Sequence, residues 1–196
     1  MRKFRVVTGV AVVIALLAMV VPRAFAEVEP GGWRAYTPST RVQRVGCARI
    51  NGLTFSLTCS NHHGEQRAEI RYGTYNSGTH QFEGYFRITS MGGTRISLKQ
   101  TFKTSGPFFL LAVDRGGRLY AVGRDTIATG ATVGTTVRVN TVHVVGRTLR
   151  VYINGSLVYT VASRSGSFYD KIGAYRTASG YGPITVVWSN VRFWQK

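Results

Sequence analysis

The stretch VYINGSLVYTV, residues 151–161, contains two short segments of β-branched and aromatic residues around Asn154-Gly155. Such residues are enriched in strands. Asn-Gly is the pair that most readily adopts the positive φ angles of a two-residue type I′ turn. The stretch therefore predicts a β-hairpin.

The rest of the chain repeats this pattern of short strand-like runs separated by glycine-containing turns such as Gly92-Gly93 and Gly116-Gly117. Helical periodicity is almost absent. The predicted strands span residues 53–58, 67–72, 80–89, 95–103, 108–114, 118–122, 136–145, 148–153, 156–162, 170–176 and 184–194. About eleven short strands predict an all-β jelly-roll sandwich of two antiparallel sheets with a concave groove.

The first 26 residues have the three parts of a secretory signal peptide. A basic start, MRKFR, precedes an apolar run over residues 6–21, and Ala24-Phe25-Ala26 forms a small-residue cleavage site. An uncleaved anchor helix is the alternative, but the run is short for a hydrocarbon core of about 30 Å. We expect cleavage after Ala26 and export to the extracellular space.

The remaining residues, 27–196, have the length of one domain. Residues 27–44 are weakly patterned, and we expect them to form an N-terminal arm over the sandwich. Cys47 and Cys59 suit a structural disulfide in an oxidising compartment. Neither cysteine belongs to a CxxC motif or a histidine cluster with metal-ligand spacing, so we expect no metal site.

The charge of the chain indicates a polyanionic partner. The full sequence has a formal charge of +17, and removal of the four basic residues of the predicted signal leaves +13. A secreted protein this basic is suited to an acidic polysaccharide, an anionic cell wall or nucleic acid. Export and the lack of a nucleic-acid-binding motif disfavour nucleic acid. We expect an acidic polysaccharide as partner, no membrane contact after signal cleavage, and a monomer.

RAEIR, residues 67–71, is one candidate site strand. Alternation places Arg67, Glu69 and Arg71 on one face and Ala68 and Ile70 on the other. Glu69 would fix the two guanidinium groups and leave donors free for a carboxylate. The alternative is a solvated strand face with a salt bridge worth about 0–1 kcal/mol.

FYDKIGAYR, residues 168–176, is the second candidate. Tyr169, Lys171, Gly173 and Tyr175 share one face. We expect Gly173 to leave space for a ligand, and we expect the neighbouring cations to lower the pKa of the phenol for proton transfer. An ordinary aromatic strand is the alternative.

Together these motifs resemble those of the jelly-roll polyuronate lyases, the alginate lyases and related glucuronan lyases of the concanavalin A-like superfamily. That group carries an R-x-E-x-R strand, a Q-x-H or Q-x-x strand, and a Y-x-K-x-G-x-Y strand near the C-terminus. This chain has RAEIR, then Gln100 in SLKQTF, then YDKIGAY, in the same order. The resemblance covers roughly residues 62–194.

The resemblance implies metal-independent, cofactor-free β-elimination on a polyuronate. Arg67, Arg71 and Gln100 would bind the uronate carboxylate, and Lys171 would position the sugar. Tyr175 would protonate the leaving oxygen, with or without also abstracting the C5 proton. The residues assigned to substrate binding are Arg67, Glu69, Arg71, Gln100, Tyr169 and Lys171.

The chain departs from the alginate-lyase pattern at Phe102, which stands where that pattern has a histidine. Three alternatives stay open. The base is His62 or His63, with His80 a weaker candidate; Tyr175 performs both proton transfers; or the protein is a non-catalytic carbohydrate-binding protein. A glycoside hydrolase is disfavoured, because its two flanking carboxylates have no counterpart motif among the eight acidic residues.

Gln100 conflicts with simple alternation. It shares parity with Leu98 and Phe102, whereas Lys99 and Thr101 face the other way. Alternation would bury Gln100 and expose the lysine, but the resemblance requires Gln100 on the groove. A bulge in the strand, coverage of both faces, or an assignment displaced by one residue would each resolve the conflict.

Overall fold

A computed structural model describes residues 28–60, 64–121, 123, 126–177 and 180–196. The predicted signal peptide, His62 and His63 lie outside the described residues. In the described ranges the secondary structure is built from strands, without an α-helix. These ranges accordingly contain no helix of the length and apolarity needed to span a bilayer.

The described residues form fifteen strands. In chain order they are β1 (Arg34–Tyr36), β2 (Thr40–Val45), β3 (Ala48–Asn51), β4 (Thr54–Leu57), β5 (Gln66–Tyr75), β6 (Thr79–Met91), β7 (Arg95–Lys103), β8 (Gly106–Asp114), β9 (Leu119–Ala121), β10 (Thr126–Ala128), β11 (Thr136–Val144), β12 (Thr148–Ile153), β13 (Ser156–Ala162), β14 (Phe168–Arg176) and β15 (Ile184–Gln195). Each of the eleven predicted strands is present.

The strands form two antiparallel sheets. The first has the order β13-β12-β11-β6-β15-β4-β3, with β1 also paired to β15. The second has the order β10-β9-β8-β7-β14-β5-β2. The predicted all-β sandwich of two antiparallel sheets is confirmed.

The inner faces of the two sheets form one apolar core. From the first sheet, Phe82 and Phe86 pack against Trp188, with ring centroids 5.9 Å and 5.6 Å from the indole. From the second sheet, Ile172 and Ala174 of β14 contribute fully buried side chains. Each large apolar side chain buried in this way stabilises the fold by about 1.5–3 kcal/mol. One face of β14 is therefore committed to the core.

The segment expected to be an arm contains two strands. β1 pairs with β15 of the first sheet, and β2 pairs with β5 of the second. Most side chains of both strands are exposed, so the apolar alternation that marks a strand in the sequence is missing here. As a result β2 lies beside the RAEIR strand.

A bulge in β7 resolves the conflict at Gln100. The pairing of β7 with β8 shifts register between Ser97 and Lys99. Leu98 is buried in the core, and Lys99 also points inward, because its Nζ lies 5.1 Å from the ring centroid of Phe82 on the first sheet. From Gln100 onward the parity is reversed. Two of the three explanations therefore apply, because β7 contains a bulge and both of its faces are covered over residues 96–101.

The predicted disulfide is confirmed. Cys47 and Cys59 are joined, with their Cα atoms 5.6 Å apart. The amide of Cys47 donates to Oε1 of Gln66, the first residue of β5, at 2.7 Å. The bridge therefore closes the β3–β4 hairpin, and the hydrogen bond to Gln66 connects that hairpin to the start of the RAEIR strand. Closing a loop of this size stabilises a fold by about 3 kcal/mol.

Candidate functional site

The outer face of the second sheet, termed here the site face, carries polar side chains in rows that cross the strands. Register places Gln100 opposite Lys171, Lys171 opposite Arg71, and Arg71 opposite Arg41. These four residues come from β7, β14, β5 and β2, which are consecutive strands about 4.8 Å apart. They form a single row with three cations.

Two further rows lie beside the first. Gly173, Glu69 and Gln43 are aligned in one of them, and Tyr175 is opposite Arg67 in the other. The RAEIR and YDKIGAY strands are therefore direct neighbours. The structure brings the residues predicted for substrate binding together with Tyr175 on the site face.

Glu69 is the centre of this arrangement. It is only 1% exposed. Nε2 of Gln100 donates to its Oε1, and Nε of Arg67 and Nζ of Lys171 each lie 3.4 Å from its Oε2. The alternative of a solvated salt bridge is wrong, because both Glu69 and Lys171 are buried. The carboxylate holds three donor groups in fixed positions.

The electrostatics of the cluster favour an added anion. Burial raises the pKa of Glu69, against the opposing charges of Lys171 and Arg67. Burial likewise lowers the pKa of Lys171, while Glu69 opposes that shift. Both directions reflect the cost of desolvating charges. A ligand carboxylate beside Lys171 would add a second negative partner and relieve the surplus of positive charge contributed by Arg67 and Arg71.

Tyr175 is half-buried, and the guanidinium carbon of Arg67 lies 4.9 Å from its ring centroid. The expectation of a lowered phenol pKa is wrong. Burial raises the pKa of Tyr175, and the Glu65 carboxylate raises it further, whereas Arg67 opposes the shift. The phenol is therefore protonated at neutral pH, which is the state of a proton donor.

A cleft of about 310 Å³ opens beside Tyr175 on the site face. Its lining includes Ser97, Leu110 and Tyr120 from β7, β8 and β9. The cleft lies on the opposite side of Tyr175 from β5, because β14 separates β7 from β5 in the sheet. A chain-like ligand crossing the strands would therefore pass directly over Tyr175.

Tyr169 and Phe102 form an aromatic surface next to Lys171. Their rings stack with centroids 5.5 Å apart and an interplanar angle of 15°. The Arg71 guanidinium carbon lies 3.7 Å from the Tyr169 centroid, and Lys171 Nζ lies 4.2 Å from the Phe102 centroid. Phe102 therefore supplies a cation–π contact and cannot accept a proton.

Gly173 has a different role from the one predicted. Its φ of 143° is unfavourable for other residues, and a Cβ at this position would lie 2.2 Å from the carbonyl oxygen of Ala68. The glycine is therefore required by the close pairing of β14 with β5. Space for a ligand is not the reason for it.

The described histidines do not lie on the site face. His80 is on β6 of the first sheet, where its Nε2 lies 2.8 Å from the carbonyl oxygen of Ser77. His143 is on β11 of the same sheet and is buried in the interior. The prediction of His80 as a weaker candidate for the catalytic base is therefore wrong. Among the described residues, no group of three or more His, Cys, Asp or Glu side chains is placed to hold a metal ion.

Among the polar site-face residues that were not predicted are Arg41, Gln43 and Glu65. Glu65 could have been found, because it shares parity with Arg67 in EQRAEIR, and it pairs with that arginine. Arg41 and Gln43 are on β2, a strand whose sequence has no alternation signal. Within the described ranges, the buried Oε1 of Gln43 has no hydrogen-bond partner.

Comparison by sequence identifies no relative: no protein-family model and no curated protein matches this chain. Solved structures do match. An alginate lyase from Corynebacterium sp. has a TM-score of 0.63 at 17% identity, covering 76% of this chain and 81% of that one. An alginate lyase of polysaccharide lyase family 7 has a TM-score of 0.61 at 18% identity, covering 84% and 94%.

A third match is a marine alginate lyase of family 7 from Zobellia galactanivorans, with a TM-score of 0.59 at 17% identity over 76% of this chain and 80% of that one. Identities this low establish a shared architecture. The chain therefore has the jelly-roll fold of these alginate lyases.

Proposed function

We propose that the protein is a polysaccharide lyase that cleaves a uronate-containing polysaccharide, such as glucuronan or alginate, by β-elimination in a scheme that uses no metal. The observation that carries this proposal is the convergence of Arg67, Gln100 and Lys171 on the buried Glu69, beside Tyr175. The shared jelly-roll fold supports it.

In the proposed mechanism the cationic cluster first neutralises the uronate carboxylate. Arg67, Arg71, Lys171 and the amide of Gln100 are the donors, and Glu69 holds three of them in place. Neutralising the carboxylate acidifies the proton on the neighbouring C5. Loss of one preorganised donor of this kind lowers kcat by about 10²–10³-fold.

The elimination then moves one proton off the sugar and one onto the leaving group. A base takes the C5 proton, the C5–H electron pair becomes the C4–C5 double bond, and the C4–O bond breaks. Tyr175 protonates the departing oxygen, a role that suits its raised pKa. The products are an unsaturated uronate end and a new reducing end.

The base is His62, His63 or Tyr175 itself. In the last case Tyr175 must start as the phenolate, accept the C5 proton and then pass it to the leaving oxygen, a starting state that its raised pKa disfavours. The two histidines precede Glu65 by three and two residues in the chain, and Glu65 interacts with Tyr175. This connection supports His62 and His63 as candidates for the base, in place of the histidine that the family pattern has at the position of Phe102. Replacing both histidines with glutamine separates the alternatives: a loss of cleavage assigns the base to the pair, and full cleavage assigns both transfers to Tyr175.

Ultraviolet absorbance of the unsaturated product tests the proposal. The mature protein is incubated with glucuronan, alginate and other polyuronates. We expect cleavage by the natural chain and its abolition in Tyr175→Phe, because phenylalanine has no proton to donate. Tyr181→Phe is the matched control, since Tyr181 is 60% exposed and should leave the rate unchanged. Full cleavage by Tyr175→Phe would contradict the assignment.

A carbohydrate-binding protein without catalysis is the second candidate function. Phe102, which occupies the site face with no proton acceptor, is the observation that favours it. Tight binding of a polyuronate with no change in absorbance would establish this alternative and reject the lyase.

We also propose that the protein acts outside the cell as a monomer after removal of residues 1–26. The disulfide supports the extracellular location, because such bonds persist in oxidising compartments.

A further inference from the structure

Two arginines face each other at the β2 edge of the site face. Arg41 and Arg71 are direct cross-strand partners, and like charges in this position destabilise a sheet. Within the described ranges neither residue forms a salt bridge. Arg71 donates to Thr74 Oγ1 at 3.3 Å and stacks on Tyr169. Packing does not explain why two cations are opposed here, but binding of an anion would.

The two arginines border a cleft of about 270 Å³ that has the chemistry of a sugar-acid site. The hydroxyl-bearing residues Ser39 and Thr74 also line it. Gly73 completes the wall, and a Cβ there would lie 3.0 Å from Oγ of Ser39. The cleft therefore combines two guanidinium forks, which suit a carboxylate, with hydroxyls that can bond to sugar hydroxyls.

The cleft lies next to the cluster around Glu69 on the same sheet. Arg41, Arg71 and Lys171 belong to the same row, so Arg41 is two strand spacings, about 10 Å, from Lys171. Gln43 lies one row away, opposite Glu69, with its buried Oε1 unpaired among the described residues. A chain bound at Lys171 and crossing the strands would reach Arg41 with its adjoining sugars.

We propose that Arg41 forms a second carboxylate-binding subsite that adjoins the first one at Arg71, and that the substrate therefore carries carboxylates on more than one sugar near the cleaved bond. This inference rests on the proposed function. It selects a polyuronate over a polymer with isolated uronates among neutral sugars. Arg41 would determine specificity and take no part in proton transfer.

Binding of uronate oligomers of defined length, measured by calorimetry, tests the subsite. The Tyr175→Phe background is used so that no ligand is consumed. We expect Arg41→Gln to weaken binding of free-acid oligomers about tenfold and to flatten the salt dependence. Methyl-esterified oligomers, which lack the charge, should bind weakly and equally with and without Arg41.

Arg44→Gln is the matched control. It removes the same charge from the same strand, but Arg44 lies on the opposite parity and its Nη2 donates to the carbonyl of Ile50 at 3.3 Å. Arg41→Lys should retain part of the affinity, because lysine keeps the charge and loses the bidentate fork.

The outcomes separate this subsite from the lyase proposal. Equal affinities of Arg41→Gln and Arg44→Gln would overturn the subsite and leave the lyase standing if the natural chain still cleaves. An Arg41-specific loss of affinity without cleavage by the natural chain would support the subsite and overturn the lyase. No binding of any uronate oligomer would overturn both.

Discussion

Glu69 is the residue on which the site depends. It is almost fully buried, and it is the shared partner of Gln100, Arg67 and Lys171. An ion pair in such surroundings contributes little net stability, but removal of one partner leaves a buried charge uncompensated. Replacing either Glu69 or Lys171 alone is therefore expected to lower stability as well as to disturb the candidate site.

We expect Glu69→Gln to reduce the free energy of unfolding by about 3 kcal/mol, because Lys171 would remain buried without its counter-ion. Denaturation in urea measures the change. The double variant Glu69→Gln with Lys171→Met should recover most of the loss, since neither charge is then present. If the double variant were as unstable as the single one, the instability would have a cause other than the unpaired lysine.

At the scale of elements, the sequence predicts the central strands well and the edge strands poorly. β7 and β12 have the predicted bounds, because their apolar residues enter the core. The edge strand β13 also has the predicted bounds, although none of its side chains is fully buried, because the Asn154-Gly155 turn defines where it begins. β2 was missed, because four of its first five side chains are exposed. Edge strands satisfy only one neighbour and need no apolar face, so composition does not reveal them.

The dependence on alternation also explains which parts of the site could be predicted and which could not. RAEIR and YDKIGAY could be recognised because each strand alternates between core and site face. The β7 bulge could be given only as one of three alternatives, because no residue in ISLKQ signals that both Leu98 and Lys99 turn inward. Lys99 points inward because its Nζ pairs with Oδ1 of Asp170 at 2.5 Å. The two residues are 71 positions apart in sequence, so this interaction cannot be read from the local sequence.

Gly173 provides a test at this scale. We expect Gly173→Ala to destabilise the fold by more than 3 kcal/mol, because the backbone strain of about 1–3 kcal/mol adds to the collision with the Ala68 carbonyl. Gly106→Ala is the matched control. Gly106 has a similar φ of 139° and nothing within 4 Å of the added Cβ. Thermal unfolding of both variants separates strain from collision, and equal losses would contradict the close approach of β5.

At the scale of the whole molecule, a polar cluster in the interior joins the two sheets. Nδ1 of His143, on the first sheet, lies 2.9 Å from the hydroxyl of Tyr75 on the second sheet. Nε2 of the same histidine lies 2.7 Å from Oγ of Ser163. The Lys99–Asp170 pair occupies the same interior. The His143–Tyr75 bond forms only when both sheets are in place. The Lys99–Asp170 pair joins two strands of the second sheet and is covered by Phe82 of the first. Protonation of these interior groups therefore affects the packing of both sheets.

His143 determines the direction in which stability changes with pH. Burial lowers its pKa from 6.5 to about 4, with Lys99 and His80 acting in the same direction and Asp170 opposing them. The unfolded chain therefore binds more protons than the folded one between these values. Stability from this group is fully present above about pH 6.5 and is lost as the pH falls through the folded pKa.

We expect acidification from pH 7 to 4 to reduce the free energy of unfolding by about 3 kcal/mol more in the natural chain than in His143→Gln. Glutamine keeps a donor and an acceptor toward Tyr75 and Ser163 but does not titrate. Urea unfolding at intervals across this range measures both profiles. His80, whose pKa is also lowered by burial, remains in both proteins and contributes to both profiles. Parallel profiles would show that His143 is not held neutral between the sheets.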